Sequence, residues 1–248
     1  MITVRGIHKR FGTLQVLRGV DLDVRPGETL VILGQSGGGK SVLLKVIAGL
    51  LDPVEGTVQI DGRPREALAG EAAQQAALKF AYLFQGAALF DSLTVGENVT
   101  FALRRFTAKS PDELYAIAEE RLSWVGLRGI QGKKPAELSG GMRKRVGLAR
   151  AIAMDPAYVL YDEPTTGLDP ISSDAVADLI LSLQARLKCT CIVVTHDMAL
   201  AFKTGDRLCL LNQGRLHAVA DKEAFRALDD EVVQQFIHGR AQGPIQFL

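Results

Sequence analysis

The sequence has few cysteines and almost no net charge. Each of these features argues against one kind of binding site. The chain has three cysteines among 248 residues, Cys189, Cys191 and Cys209, and no cluster of further metal ligands accompanies them. We therefore expect small buried side chains in a reducing compartment rather than a metal centre. Lys and Arg number 29 and Asp and Glu 28, which leaves a formal net charge of +1. That balance argues against a broad basic face that binds nucleic acid.

Long apolar runs are missing as well. No apolar stretch approaches the roughly 18 residues that are needed to span a bilayer. The N-terminal segment MITVRGIHKRFG lacks the apolar core of a signal peptide. We therefore expect a cytosolic protein unless a partner holds it at a membrane. The composition, 47% hydrophobic and 23% charged, is typical of a globular protein with a sizeable core.

Hydrophobic periodicity predicts an α/β core. VDLDV at 20–24 alternates like a half-buried strand, whereas TLVIL at 29–33 is continuously apolar, like a central strand covered on both faces. Further buried strands are predicted at 80–84, 157–161 and 191–195. A helix from about Ser173 to Lys188 separates the last two, so these strands are predicted to be parallel with a crossover.

Residues 86–155 differ from the rest because they carry helix signals and few strands. Ser110 is a predicted N-cap, with Glu113 as its capping-box partner, and the helix is expected to run to about Trp124. We interpret this stretch as a helical subdomain inserted into the α/β core.

The glycine-rich segment GQSGGGKS follows a buried strand and opens a helix, which is the context that a phosphate-binding loop requires. Glycines let backbone N–H groups point inward at phosphate oxygens, and the helix start adds partial positive charge. Lys40 is expected to reach the β- and γ-phosphates, and Ser41 to coordinate Mg²⁺. The candidate nucleotide-binding residues of this loop are Gly34, Gln35, Ser36, Gly37, Gly38, Gly39, Lys40 and Ser41. The alternative, a glycine turn without a ligand, does not account for the Lys-Ser pair at the helix start.

Two further motifs complete the candidate chemistry. Asp162 and Glu163 end a buried strand, where adjacent carboxylates are costly unless a cation is near. We expect Asp162 to hold the Mg²⁺ shell through water and Glu163 to polarise the attacking water. In LSGGM, Ser139 is a candidate N-cap, and Gly140 and Gly141 allow close backbone approach, so this is a second candidate anion-binding helix start. Alone, it would read equally well as an ordinary capped helix.

The order of six motifs resembles that of ABC transporter nucleotide-binding subunits, over roughly residues 1–220. They are GQSGGGKS, FQ at 84–85, LSGGM, YDEP, GLDP at 167–170 and THD at 195–197. The resemblance implies a P-loop NTPase fold with a RecA-like parallel-sheet core and an ATPase that uses Mg²⁺. It also implies a head-to-tail homodimer enclosing two ATP molecules, in which Gly34–Ser41 of one chain face Ser139 and Gly141 of the other.

The same resemblance implies roles for single residues. Phe11 would stack on adenine, and Gln85 would touch Mg²⁺ and the attacking water and sense the transmembrane partner. His196 would contact the γ-phosphate and orient Glu163, and Asp169 would communicate across the dimer. Gln35 stands where many relatives have Pro, and we expect no loss of activity, because the position contributes backbone.

Several strings are similar to those of the Mla/MCE phospholipid transporter ATPases, including LFQGAALFDSLTVGENV at 83–99 and the closing QFIHGRAQGPIQF. That resemblance implies phospholipid transport between membranes, at the cytoplasmic face of a bacterial inner membrane. It also implies as partners an integral membrane permease, an MCE-domain protein and a STAS-domain protein. The tail is expected to pack on the partner ATPase rather than on its own chain. Its apolar contacts would be Phe236, Ile237, Ile245, Phe247 and Leu248.

The predicted division follows from both resemblances. It comprises a first part of the RecA-like core with an N-terminal β subdomain (1–85), the helical subdomain (86–155), the second part of the core (156–222), and a C-terminal helix with a dimer-contacting tail (223–248). The predicted permease-docking surface contains Phe84, Leu89, Phe90 and Leu93. Two alternatives stay open: an ABC ATPase for another cargo, such as an amino acid, and a soluble ABC-type ATPase that acts on DNA or as a scaffold. Between Ser41 and Leu138 neither a heptad run nor a Cys cluster occurs, which disfavours the DNA-repair class.

Overall fold

The computed structural model describes residues 1–246, which form two compact units. The first comprises Met1–Ala77 and the chain from Thr190 onward, and the second comprises Leu78–Cys189. Both contain strands and helices. The predicted domain boundaries near residues 86, 156 and 223 stay predictions.

An antiparallel sheet forms the N-terminal part of the first unit. Its strands are β1 (Ile2–Phe11), β2 (Leu14–Val24), β4 (Glu55–Ile60) and β5 (Arg63–Pro64), in the order β2-β1-β4-β5. Val4 lies opposite Leu22 on one side and Val58 on the other, and all three are buried. The strand predicted at 20–24 is confirmed as the end of the longer β2, in which Val20, Leu22 and Val24 are buried at alternate positions.

A second sheet in this unit carries the parallel strands. Its strands are β3 (Thr29–Leu33), β8 (Thr190–Thr195), β9 (Arg207–Asn212) and β10 (Arg215–Asp221), in the order β10-β9-β3-β8. β3 pairs in parallel with both β8 and β9, and all of its residues are buried. This burial on both faces explains why TLVIL is apolar throughout. β9 and β10 form an antiparallel hairpin, whose turn contains Gln213 and Gly214, both with positive φ.

The helices of the first unit are short. They are α1 (Lys40–Ala48), α2 (Gly70–Leu78, ending at the start of the second unit), α7 (Met198–Thr204), α8 (Lys222–Arg226) and α9 (Glu231–Ile237), with a 3₁₀ turn at Arg65–Ala67. α1 ends at Gly49, which adopts the left-handed conformation with a φ of 80°, typical of a helix C-terminus. The single helical segment expected ahead of the tail is two helices, α8 and α9.

The second unit contains one parallel strand pair and four helices. Its elements are β6 (Phe80–Leu83), α3 (Val95–Phe106), α4 (Pro111–Trp124), α5 (Gly140–Ala151), β7 (Tyr158–Asp162) and α6 (Pro170–Leu187), with a 3₁₀ turn at Pro135–Glu137. β6 and β7 are parallel, and α3, α4 and α5 pack on one another. The capping box of α4 is confirmed, because Ser110 and Glu113 exchange both hydrogen bonds.

The α/β fold class is confirmed, with one helix boundary corrected. α6 begins at Pro170 rather than near Ser173, because Asp169 caps it and a proline suits the first helical position. The three cysteines are buried, and burial raises the pKa of the Cys209 thiol to about 12. Within residues 1–246, no helix combines the length and the apolar character that crossing a membrane needs.

Candidate nucleotide-binding site

The glycine-rich loop connects β3 to α1 in the first unit. Gly37 and Gly39 have φ values of 77° and 95°, which side-chain-bearing residues rarely adopt. A Cβ at Gly39 would lie 3.1 Å from a methyl group of Val16, and one at Gly34 would collide with the carbonyl oxygen of Leu211. Glycine is therefore required both for the turn and for the close approach of neighbouring strands.

Lys40 is buried at the start of α1 although it carries charge. Its Nζ donates hydrogen bonds to the carbonyl oxygens of Gly34, at 2.8 Å, and Gln35, at 3.0 Å. The ammonium group thus lies inside the curve of the loop, beside the N-terminus of a helix whose first turn has no acidic residue. This concentration of positive potential in a cradle of glycines fits a phosphate group.

His196 lies at the edge of the same sheet as the loop. Thr195 is paired with Leu33, so His196 and Gly34 each follow a paired residue at the carboxyl ends of parallel strands. His196 is exposed, and it lines a cavity of about 450 Å³ together with Gln35, Met198 and residues of α9. The structure therefore places His196 beside Gln35 of the loop, and its contact with a γ-phosphate stays a prediction.

Phe11 ends β1 with 48% of its surface exposed. The Nζ of Lys9 lies 5.4 Å from the centre of its ring, a cation–π distance. An exposed aromatic ring beside a cation is a suitable surface for stacking a nucleobase.

The carboxylates of Asp162 and Glu163 are buried at the end of β7 in the second unit. The Tyr82 hydroxyl donates a hydrogen bond of 2.8 Å to Asp162 Oδ2. Burial, and then the nearby charge of Asp162, raise the pKa of Tyr82 well above its ordinary value, so the hydroxyl stays a donor. Glu163 has a φ of 50°, and its Oε2 accepts a hydrogen bond of 3.2 Å from the Thr166 hydroxyl.

Gln85 follows β6 at the edge where β7 ends, because the two strands are parallel and Leu83 is paired with Tyr161. After Gly86, Ala87 and Ala88 both have positive φ, at 61° and 45°. The guanidinium of Arg150 donates to both of their carbonyl oxygens, at 2.6 and 2.8 Å. α5 therefore holds the segment after Gln85 in a conformation that few side-chain-bearing residues adopt.

Ser139 caps α5, as predicted, because its hydroxyl accepts a hydrogen bond from the Met142 N–H at 3.3 Å. Ser139 and Gly140 are exposed, and the first turn of α5 contains no acidic residue. Asp169 caps the start of α6, where Ser172 donates both a backbone and a hydroxyl hydrogen bond, and its predicted communication across the dimer stays a prediction. These hydrogen bonds lower the pKa of Asp169, so its carboxylate is charged near neutral pH.

The predicted site residues are distributed over both units. Phe11, Gly34–Ser41 and His196 belong to the first, and Gln85, Ser139–Gly141, Asp162, Glu163 and Asp169 belong to the second. A sequence model described as "ABC transporter" matches residues 17–166, which is more than half of the chain.

The chain belongs to the ABC transporter family.

Individual ABC proteins support this membership. The chain is 41% identical to the probable ribonucleotide transport ATP-binding protein mkl of Mycobacterium leprae (strain TN), over 98% of this chain and 70% of that protein. It is 35% identical to the intermembrane phospholipid transport system ATP-binding protein MlaF of Haemophilus influenzae, over 100% of this chain and 94% of that protein. Its fold matches the dimeric ATP-binding cassette MJ0796 bound to ADP and Pi with a TM-score of 0.82 and 32% identity, covering 90% of this chain and 99% of that one. The predicted ABC-type ATP binding and ATP hydrolysis coupled to transport are confirmed at the level of the family.

One of the five predicted tail contacts, Ile245, departs from its prediction. Ile245 was expected to pack on a partner chain, but its side chain is buried by its own chain. Its N–H donates to Gln235 Oε1 at 2.7 Å, and its carbonyl oxygen accepts from Gln235 Nε2 at 3.0 Å. Phe236 and Ile237 are half-buried beside the cavity, and Phe247 and Leu248 lie outside the described residues.

Sequence reasoning missed four residues that hold the site: Tyr82, Lys144, Arg150 and Gln235. Each of them binds a residue at least ten positions away in the sequence. No local sequence pattern predicts such a contact. The one available signal was a buried polar or basic residue next to a motif.

Proposed function

We propose that the chain is the ATP-hydrolysing subunit that drives phospholipid transport between two membranes through a separate permease. The observation that supports phospholipid as the cargo is the 35% identity to a protein named as an intermembrane phospholipid transport ATPase. This match covers all of this chain and 94% of that relative. Shared family motifs alone would support ATP hydrolysis for any cargo. The resemblance of LFQGAALFDSLTVGENV and of the closing QFIHGRAQGPIQF to the Mla/MCE ATPases favours the phospholipid class.

In the first unit, the loop Gly34–Ser41 binds the phosphates of ATP and Phe11 stacks on its adenine. The backbone curl and the buried Lys40 support the phosphate assignment, since both concentrate positive potential. The exposure of the Phe11 ring supports the stacking assignment. His196 contacts the γ-phosphate from the strand end beside the loop.

In the second unit, Glu163 polarises the water that attacks the γ-phosphate. We assign Ser41, Gln85 and, through water, Asp162 to Mg²⁺, because hydroxyl, amide and carboxylate oxygens are the donors that this ion prefers. Bound Mg²⁺ supplies neutralisation of the charge that develops on the phosphate oxygens. The hydrogen bond from Tyr82 orients the Asp162 carboxylate for this task.

A second copy of the chain completes each site in this proposal. The helix start at Ser139, Gly140 and Gly141 binds the ATP held by the loop of the partner, in a head-to-tail dimer, and Asp169 communicates between the two sites. The exposed cap and the absence of acidic residues in the first turn of α5 support an anion there. The dimeric cassette that this fold matches supports the arrangement.

The remaining partners follow from the cargo. We propose an integral membrane permease that docks near Phe84, Leu89, Phe90 and Leu93, an MCE-domain lipid-binding protein and a STAS-domain protein, at the cytoplasmic face of the bacterial inner membrane. Phe84 and Phe90 are exposed, at 36% and 44%, which supports a docking role. Phe90 also stacks on Phe101 with ring centres 4.6 Å apart, so the exposed apolar surface extends onto α3.

Another cargo is the second candidate. The M. leprae relative is named for ribonucleotide transport and is 41% identical, which is higher than the identity to MlaF. The catalytic residues serve either cargo equally, so only the identity of the transported molecule separates the two. A scaffold protein without transport activity is the remaining alternative. Co-purification of the chain with a membrane protein would argue against it.

Two variants test the ATPase assignment. We expect Glu163→Gln to keep ATP bound but to lower kcat by about 100-fold or more, because it removes the base and preserves its shape. Lys40→Ala should instead lose nucleotide affinity, since it removes the charge at the cradle. Turnover and ATP titration of both variants separate the roles. Wild-type turnover in Glu163→Gln would remove that residue from the base role.

The cargo is tested by purifying the chain with its native membrane partners and identifying bound lipids by mass spectrometry. Phospholipid together with an MCE-domain subunit is the expected result. A different permease with ribonucleotide and without lipid would overturn the phospholipid assignment while leaving the ATPase standing.

A further inference from the structure

Glu163 adopts a backbone conformation that is unfavourable for a residue with a side chain. Its φ is 50°, and its side chain is buried. Such a conformation persists only where the surrounding structure holds it. The groups that hold this turn therefore determine where the carboxylate points.

Thr166 and Lys144 both contribute hydrogen bonds that hold the Glu163 turn. Thr166 donates its hydroxyl to Glu163 Oε2, at 3.2 Å, and its N–H to the carbonyl oxygen of Glu163, at 3.3 Å. Lys144 donates from Nζ to the carbonyl oxygens of Pro164, at 2.9 Å, and of Thr166. One ammonium group thus bridges the two carbonyls on either side of Thr165, immediately after Glu163.

Lys144 is not a solvated surface lysine. It lies on α5 and is half-buried, whereas the neighbouring Arg143 is exposed. Burial lowers the pKa of Lys144, and the negative charge of Glu163 acts in the opposite direction, so the ammonium and the carboxylate lie within electrostatic range.

Lys144 lies on α5, so its contact connects the Glu163 turn to the start of that helix. α5 begins with Ser139, Gly140 and Gly141, and Lys144 lies about one turn further along the same helix. A helix moves as a rigid element over such a distance, so a shift of its start displaces the Lys144 backbone by a similar amount.

We propose that Lys144 is a positioning residue that ties the Glu163 turn to the start of α5, so that an anion bound at Ser139 and Gly141 sets the position of the carboxylate. The inference rests on the proposed function, because it takes Glu163 as the base and that helix start as an ATP contact. In the dimer, ATP bound at the start of α5 would thereby influence hydrolysis by the Glu163 of the same chain.

The test compares Lys144→Met, Lys144→Arg and the control Lys134→Met in the full chain purified with its membrane partners. Lys134 makes a similar contact elsewhere, from Nζ to the carbonyl oxygen of Ser92 at 2.8 Å. We expect Lys144→Met to lower kcat about tenfold with KM and ATP affinity within about twofold, because a misplaced base slows chemistry without weakening binding. Lys144→Arg, which keeps the charge and the donors, should recover at least about a third of the lost rate.

A second measurement separates positioning from general stability. Hydrogen exchange of residues 163–168 in Glu163→Gln should slow when ATP binds, and adding Lys144→Met should abolish that protection. Lys134→Met should change neither rate nor exchange. An unchanged kcat in Lys144→Met, a parallel loss of kcat and ATP affinity, or no rescue by arginine would each overturn the proposal. If Glu163→Gln itself hydrolysed ATP at the normal rate, the assignment of Glu163 as the base would be wrong. If Glu163→Gln were inactive and Lys144→Met fully active, only the positioning role of Lys144 would be refuted.

Discussion

Three non-glycine residues with positive φ lie at predicted site residues or within three positions of one. Glu163 is itself a site residue, and Ala87 and Ala88 follow Gln85. In each case a basic side chain of α5 binds backbone carbonyl groups at that segment. The pattern suits a catalytic site, because strain that is held by specific contacts fixes a group more precisely than a relaxed loop does.

At the residue scale we predict that Tyr82→Phe destabilises the protein by about 1–3 kcal/mol, because the buried Asp162 carboxylate loses a hydrogen-bond donor while the aromatic ring stays. Chemical denaturation at pH 7 measures the change. Tyr115→Phe is the matched control, since Tyr115 is 64% exposed and should change stability by less than about 0.5 kcal/mol. Equal midpoints for the two variants would mean that the Tyr82 hydroxyl contributes nothing.

At the scale of elements, α5 connects three parts of the candidate site. Its start is capped by Ser139, Lys144 holds the Glu163 turn, and Arg150 holds the segment after Gln85. Gly147 lies where a Cβ would approach Ala87 Cβ to 3.0 Å, so the helix packs closely against that segment. A single helix thus positions three groups that the sequence lists separately.

α9 has a cap whose charge depends on pH. Asp230 accepts a hydrogen bond from the Val233 N–H and contacts His217 Nε2 at 2.8 Å. The Val233 bond first, and then His217, lower the pKa of Asp230. A lowered folded-state pKa means that this stabilisation is present above the unfolded value, near about 4, and is lost as pH falls through the folded value.

We therefore expect hydrogen exchange at residues 231–237 to accelerate as pH falls below about 4, after correction for intrinsic exchange rates. Asp230→Asn keeps a capping side chain but has no carboxylate to protonate, so it should show a smaller change over that range. An identical pH response in the two proteins would show that this cap does not control the helix.

At the scale of the whole molecule, the residues of the proposed site are divided between the two units. The first holds the proposed phosphate loop and His196, and the second holds the proposed catalytic carboxylates and the capped start of α5. The family to which the chain belongs uses both groups for ATP hydrolysis, so neither unit is expected to be active without the other.

The tail provides a prediction at this scale. Deleting residues 239–248 should weaken the ATP-bound dimer more than it weakens ATP binding, because the tail resembles that of the Mla/MCE ATPases, which implies a contact with the partner chain. The deletion also leaves the buried Gln235 amide without Ile245. Sedimentation of the Glu163→Gln dimer with ATP, compared with ATP titration, measures the two effects. Unchanged sedimentation would limit the tail to contacts with its own chain.

Local patterns in the sequence determined the phosphate loop, the buried strands, the α4 cap and the carboxylate pair, because glycine geometry, hydrophobic period and capping depend on neighbouring residues. The family motifs added the roles of His196 and Gln85. Only the tertiary structure decided that Tyr82 holds Asp162, that Lys144 holds the Glu163 turn, and that Gln235 binds Ile245 within one chain. The first contact joins two side chains of neighbouring strands, and the other two join irregular backbone to a side chain on a helix. The fold alone brings such groups within hydrogen-bonding distance.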